Sequence, residues 1–347
     1  MADVANGARP TAPKQQRLNP GNTLAGRGAH GGRSGNPARS GGRKAAPVRP
    51  ARFGDWVGAA RLRTLPMAVS PVIIGTGAAS IAAGAGVYHP IRALLCLVIA
   101  VALQIGVNYA NDYSDGIRGT DDQRVGPSRL TGSGAAKPRA VLTVALVFFA
   151  IAAIAGIVLT ILTQFWWLIA VGVAALLAAW FYTGGKRPYG YFALGEVFVF
   201  VFFGLVATLG TTFVQVGTLN QEAWFGAVAA GLISCAALTV NNLRDLDQDK
   251  RVGKRTLSVL VGPVVSKILF CLFLLVPIGI GVFLAFFYPV AWFVLFVLLA
   301  AVPACVITIF GKTPRELILV LKLTGVVQLA FGVILGLAFF YTPGIGS

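Results

Sequence analysis

The chain has 347 residues, 56% of them hydrophobic and 12% charged, about half the roughly 25% charged fraction of soluble globular domains. Apolar runs near the ~20-residue length that crosses a bilayer as a helix exclude a soluble domain, and their continuity excludes an alternating β-barrel. The net charge of +17 invites a nucleic-acid reading, but the distribution of the charge argues against one.

Residues 1–50 hold nine Lys or Arg against one acid, Asp3. They are rich in Gly, Pro, Ala and Asn and poor in large apolar residues, so residues 1–51 are expected to form a disordered basic arm that lies against anionic lipid. No apolar stretch follows these charges in the manner of a secretory signal. Residues 52–347 are expected to form one transmembrane domain, opened by a short amphipathic lead-in over 52–63 with Trp56 at the interface.

Nine spanning helices are predicted, at approximately 64–86, 91–112, 139–162, 165–183, 192–214, 222–242, 265–287, 290–310 and 317–341. The expected fold is therefore all-α and polytopic, with the helices around a central cavity. Pro66 and Pro71 in the first helix, and Pro303 in the eighth, should kink or shorten them. Alternate loops are basic: Arg118 to Arg139, Lys186 and Arg187, Arg244 to Lys267, and Lys312 to Lys322. The positive-inside rule then predicts a multi-pass protein of the cell membrane with its N-terminus in the cytoplasm. Cys96, Cys235, Cys271 and Cys305 all fall in apolar runs without metal-like spacing and read as packing residues.

Seven of the twelve carboxylates fall in two short stretches. The first follows the second helix and carries Asn108, Asn111, Asp112, Asp115, Asp121 and Asp122. The second follows the sixth helix and carries Asn241, Asn242, Asp245, Asp247 and Asp249. The spacing of Asn108, Asp112 and Asp115 puts them on one helical face, and so does that of Asn241, Asp245 and Asp249 if the helix continues. Both clusters belong on the cytoplasmic side. Concentrated negative charge there calls for cations, and oxygen ligands without His or Cys suit Mg²⁺ rather than zinc. The metal candidates are Asp112, Asp115, Asp121, Asp122, Asp245 and Asp249. Asp112, Asp115, Asp245 and Asp249 are also the catalytic candidates, and Asp112 and Asp245 are expected to share one cavity.

Basic residues interleave with these acids. Arg118, Arg124 and Arg129 follow the first cluster, Lys254 and Arg255 the second, and Lys186 and Arg187 occupy the loop between. A mouth of this kind fits a metal–diphosphate complex, with guanidinium and ammonium groups capping the phosphate oxygens. These basic residues are the candidate substrate contacts, together with Asn108, Asn111, Asn241, Asn242, Tyr182 and Tyr189. Glu196, a turn inside the fifth helix, is a further candidate as an intramembrane acid.

Three motifs carry a resemblance. They are Asn111 to Gly134, Tyr182 to Glu196, and Asn241 to Leu257. Together they resemble the UbiA superfamily of intramembrane aromatic prenyltransferases, and within it the branch acting on 1,4-dihydroxy-2-naphthoate in menaquinone synthesis. The resemblance covers roughly residues 52–342. It implies a polyprenyl diphosphate bound through Mg²⁺ to both Asp motifs, with the isoprenoid tail in the bundle or the lateral lipid. The ring would then take up the prenyl group with loss of CO₂. One departure stands out: the superfamily's first motif often has a third acid where this chain has Gly119, and the acids come later at Asp121 and Asp122. A superfamily enzyme with another acceptor, such as 4-hydroxybenzoate or homogentisate, is the first alternative. A cation-coupled transporter, suggested by a loose repeat with acidic helix ends, is the second. Neither chain length nor oligomeric state is legible.

Overall fold

The computed structural model describes residues 49–84, 88–119 and 129–341. Residues 1–48 of the basic arm and the candidates Asp121, Asp122 and Arg124 lie outside the described residues. The described chain is helical, with ordinary start and stop signals. Proline opens α2 (Pro66–Ala82), α3 (Pro90–Arg118), α4 (Pro138–Thr163) and α11 (Pro314–Phe340), because a first-turn residue has no N–H bond to lose. The other elements are α1 (Phe53–Ala59), α5 (Leu168–Phe181), α6 (Gly195–Val216), α7 (Gln221–Arg244), α8 (Leu246–Arg251), α9 (Leu257–Ala285) and α10 (Pro289–Phe310).

Among the described residues, seven helices are long and apolar enough to cross a membrane, and α2 joins the Phe53–Thr64 segment across a 47° bend to make an eighth. The fourth predicted span, at 165–183, is α5, which is helical but has only 14 residues, about 21 Å at 1.5 Å per residue and short of a ~30 Å hydrocarbon core. The difference lies at its ends. Gln164 turns left-handed at φ 58° after α4, and the chain unwinds again after Tyr182. Pro66 starts a helix at the bend rather than kinking one, whereas Pro71 and Pro303 lie inside α2 and α10. A second break sits in α9 at Gly262, φ 80°, just before Pro263.

Polarity is arranged as lipid requires. Leu299 and Phe310 are about three-quarters exposed on the outer face, while Ser70, Thr208, Thr324 and Gln328 are fully buried between helices. Small residues allow the helices to approach closely. A methyl group on Gly77 would lie 2.5 Å from the Gly336 carbonyl oxygen, and one on Gly204 would lie 2.6 Å from the Gly231 Cα. These contacts join α2 to α11 and α6 to α7. Helices α3 and α4 pair along their lengths, as do α7 and α9. The protein is an integral, multi-pass membrane protein.

Candidate active site

A cavity of about 470 Å³ runs between α2, α3, α4, α5, α6 and α7, within the usual size range of small-molecule sites. Its depth is apolar, walled by residues such as Val72, Leu103, Leu159, Leu176, Phe202 and Val206. Part of this wall is a π-helical turn, Phe200–Val206, inside α6. Widened turns of this type recur at functional sites because they displace side chains from the regular helical positions. The mouth is polar and carries Asn108, Asn111, Asp115, Tyr182, Asn241, Asn242, Asp245 and Lys254.

Helix α3 continues past the predicted end at 112 to Arg118, closed by Gly119 at φ 69°. The first acidic motif is therefore helical through Asp115, and Asn108, Asn111 and Asp115 reach the mouth. The second motif is interrupted at Asp245, where α7 ends and α8 begins. Even so, the Asp245 N–H bonds the Asn241 carbonyl at 3.1 Å and the Asp249 N–H bonds the Asp245 carbonyl at 2.8 Å. The four-residue register survives the break.

The acids at the mouth are matched by bases. Arg129 holds Asp115 Oδ2 at 2.6 Å, both side chains being more than nine-tenths buried. Arg244 makes a two-pronged pair with its neighbour Asp245, Nε to Oδ1 and Nη2 to Oδ2, each 2.7 Å. Lys254 Nζ lies 3.5 Å from Asp249 Oδ1. Buried pairs of this kind are expensive to desolvate, so they are poor devices for stability alone.

Asp112 behaves differently from its expected role. It is 2% exposed, and its two oxygens accept the backbone N–H groups of Leu130 and Thr131 at 2.9 Å each. It lines a separate small pocket with Arg61, Arg63, Arg129 and Arg244. The expected sharing of one cavity by Asp112 and Asp245 is thus corrected: Asp115 takes that place, because Asp112, about 60° round the helix from it, is turned to the returning chain at Leu130 and Thr131. Three basic candidates also lie elsewhere. Lys186, Arg187 and Arg255 are exposed and do not line the cavity. Arg118 instead donates to the carbonyl oxygens of Thr183 and Gly185 and so fastens the loop after α5 to α3. Asp249 is buried behind Lys254 rather than on the cavity wall.

Three of the four asparagines at the mouth share a pattern that sequence could not reveal. Asn108 donates its amide N–H to the Ala60 carbonyl, Asn241 to that of Ala237, and Asn242 to Glu196 Oε1 at 2.9 Å. Each NH₂ is used within the protein, which leaves the amide oxygen as the group offered to a ligand. Tyr189 donates to the Ala178 carbonyl and its ring stacks on Phe198 at 3.9 Å between centroids. Burial pushes the phenols of Tyr182 and Tyr189 well above their ordinary range, so both remain neutral donors. Thr183, which bonds Asn111 Oδ1 at 2.6 Å, and Tyr191, which bonds Asp115 Oδ1 at 3.0 Å, are site residues that sequence reasoning passed over.

Comparison with known proteins agrees with this architecture. The chain is 47% identical over 295 residues to the 1,4-dihydroxy-2-naphthoate octaprenyltransferase of Mycobacterium tuberculosis, covering 81% of this chain and 95% of that one. It is 52% identical over 212 residues to the enzyme of the same name from Mycobacterium leprae, covering 61% and 71%. Among solved structures, a UbiA homologue from Aeropyrum pernix superimposes with a TM-score of 0.59 at 15% identity, covering 83% of this chain and 98% of that one. A homologue from Archaeoglobus fulgidus, bound to GPP and Mg²⁺, does so with a TM-score of 0.57 at 13% identity, covering 83% and 100%. The pattern of the UbiA prenyltransferase family matches residues 68–318, and the chain belongs to that family.

Proposed function

We propose that the protein transfers a polyprenyl group from polyprenyl diphosphate to 1,4-dihydroxy-2-naphthoate. Diphosphate and CO₂ leave, giving demethylmenaquinone in its quinol form. The observation that carries the reading is a single cavity with an apolar depth and a mouth bearing Asp115, Asp245 and Lys254. Such a cavity suits a substrate that is greasy at one end and highly charged at the other. The two mycobacterial relatives favour the naphthoate over other acceptors.

Magnesium fits the mouth by the chemistry of its donors. Among the described residues no three His, Cys, Asp or Glu side chains gather as a metal site. Mg²⁺ asks for less, since it commonly takes one or two carboxylates and completes its shell with substrate phosphates and water. Asp115 and Asp245 would hold it, aided by the amide oxygens of Asn108 and Asn241. When bound, it supplies positive charge against the departing diphosphate.

The protein's own groups do the rest. Lys254, on the cavity wall, is placed to meet charge that grows on phosphate oxygen as the allylic C–O bond lengthens. The apolar wall keeps water from the allylic cation, and the stacked Tyr189 and Phe198 offer it ring faces. The electron-rich naphthoate then forms the new C–C bond and loses a proton and CO₂. The mouth is read as cytoplasmic from the basic loops at that end of the helices. The isoprenoid tail follows the apolar wall and extends into membrane lipid.

The test is an assay in detergent with one all-trans prenyl diphosphate and a panel of aromatic acceptors. Product from dihydroxynaphthoate is expected, lost on EDTA treatment and restored by Mg²⁺. Product from 4-hydroxybenzoate alone would overturn the acceptor, and full turnover in a metal-free preparation would overturn the metal.

A further inference from the structure

Tyr191 stands where three segments of the mouth meet. Its hydroxyl donates to Asp115 Oδ1 at 3.0 Å, on the oxygen opposite the one Arg129 holds. Its ring lies under two cations, with Arg118 Cζ 5.6 Å and Lys254 Nζ 5.3 Å from the centroid. Its carbonyl accepts the Arg255 N–H at 3.1 Å, and its neighbour Phe192 bridges to Arg255. One side chain therefore contacts the acid of α3 and the base that follows α8, and its backbone ties the loop after α5 to the same place. Arg118 secures that loop a second time through Thr183 and Gly185.

From this convergence we infer that Tyr191 is a positioning residue, which orients Asp115 for the metal through its hydroxyl and holds Lys254 at the diphosphate through its ring. The inference rests on the prenyltransferase reading above. The two halves of the role are separable. The hydroxyl fixes which Asp115 lone pairs face the mouth, as partners of ligating carboxylates generally do. The ring face attracts the Lys254 ammonium and draws it toward the site. Tyr191 itself does not line the cavity, so neither effect needs contact with substrate.

The experiment compares wild type with Tyr191→Phe and Tyr191→Leu. Mg²⁺-dependent binding of geranyl diphosphate is measured by calorimetry in detergent, alongside the melting temperature and the KM for the aromatic acceptor. Tyr191→Phe keeps the ring and is expected to raise the Mg²⁺ needed for half-maximal binding about tenfold or more, the usual cost of losing such a partner. Its melting temperature and acceptor KM should not move. Tyr191→Leu should also weaken diphosphate binding at saturating Mg²⁺. A Tyr191→Phe titration that overlays wild type overturns the inference, as does a Tyr191→Leu result equal to that of Tyr191→Phe. So does a fall in melting temperature that tracks the binding loss in both variants. Absence of Mg²⁺-dependent binding in wild type would overturn the functional reading and this inference with it.

Discussion

Two aspartates three residues apart on one helix have different surroundings and should fail differently. Asp112 accepts two backbone N–H groups from the chain that returns at Leu130 and Thr131. Asp112→Asn would turn an NH₂ toward one of those donors, leaving a buried N–H unmet at a cost of about 1–3 kcal/mol. A lowered melting temperature in detergent is the expected signature. Asp115→Asn and Asp245→Asn should instead lose turnover by on the order of 10²-fold, as expected when a group acting on developing charge is removed. Each swap also leaves a buried guanidinium, Arg129 or Arg244, without its counter-charge, so a lowered melting temperature should accompany the loss of turnover. A loss of turnover in Asp112→Asn as large as in the other two variants would contradict this division. The clusters of acids were plain in the sequence, but their one-to-one pairing was not. Arg129 lies 14 residues from its partner, and only the return of the chain beside α3 brings them together.

At the scale of elements, the site depends on how closely α6 approaches α7. Gly204 sits in the π-helical turn whose Phe202, Phe203 and Val206 wall the cavity, and a Cβ there would meet Gly231 Cα at 2.6 Å and the Ala227 carbonyl oxygen at 2.7 Å. Backbone cannot move aside as a side chain can. Gly204→Val should therefore destabilise by roughly 1–3 kcal/mol or more and lower activity as the wall shifts. Gly279→Ala in α9, with nothing within 4 Å of its added carbon, should leave both unchanged. Thermal melts of the two purified variants check the contrast. Periodicity and proline placement announced the helices themselves. The π-helical turn and the short α5 carried no such signal, because both are settled by neighbours rather than by local propensity.

The described residues form a large apolar cavity with charged groups gathered at its mouth. A cation-coupled transporter would be expected to carry its acids near the bilayer midplane between repeats. Activity should therefore persist in detergent micelles without a sealed compartment, and a strict need for closed vesicles would favour transport. The chain by itself determined the membrane class, the helical segments, the two acidic motifs and the family they resemble. Each of these is written in local composition or spacing, which survives without knowledge of the fold. Only the tertiary structure decided which carboxylates face the cavity, which cations neutralise them, and that Tyr191 joins three loops. A helix turns each residue by about 100°, so a one-residue difference decides between the cavity and the packed interior. That choice is made by helices far apart in sequence, and no single stretch of the chain contains it.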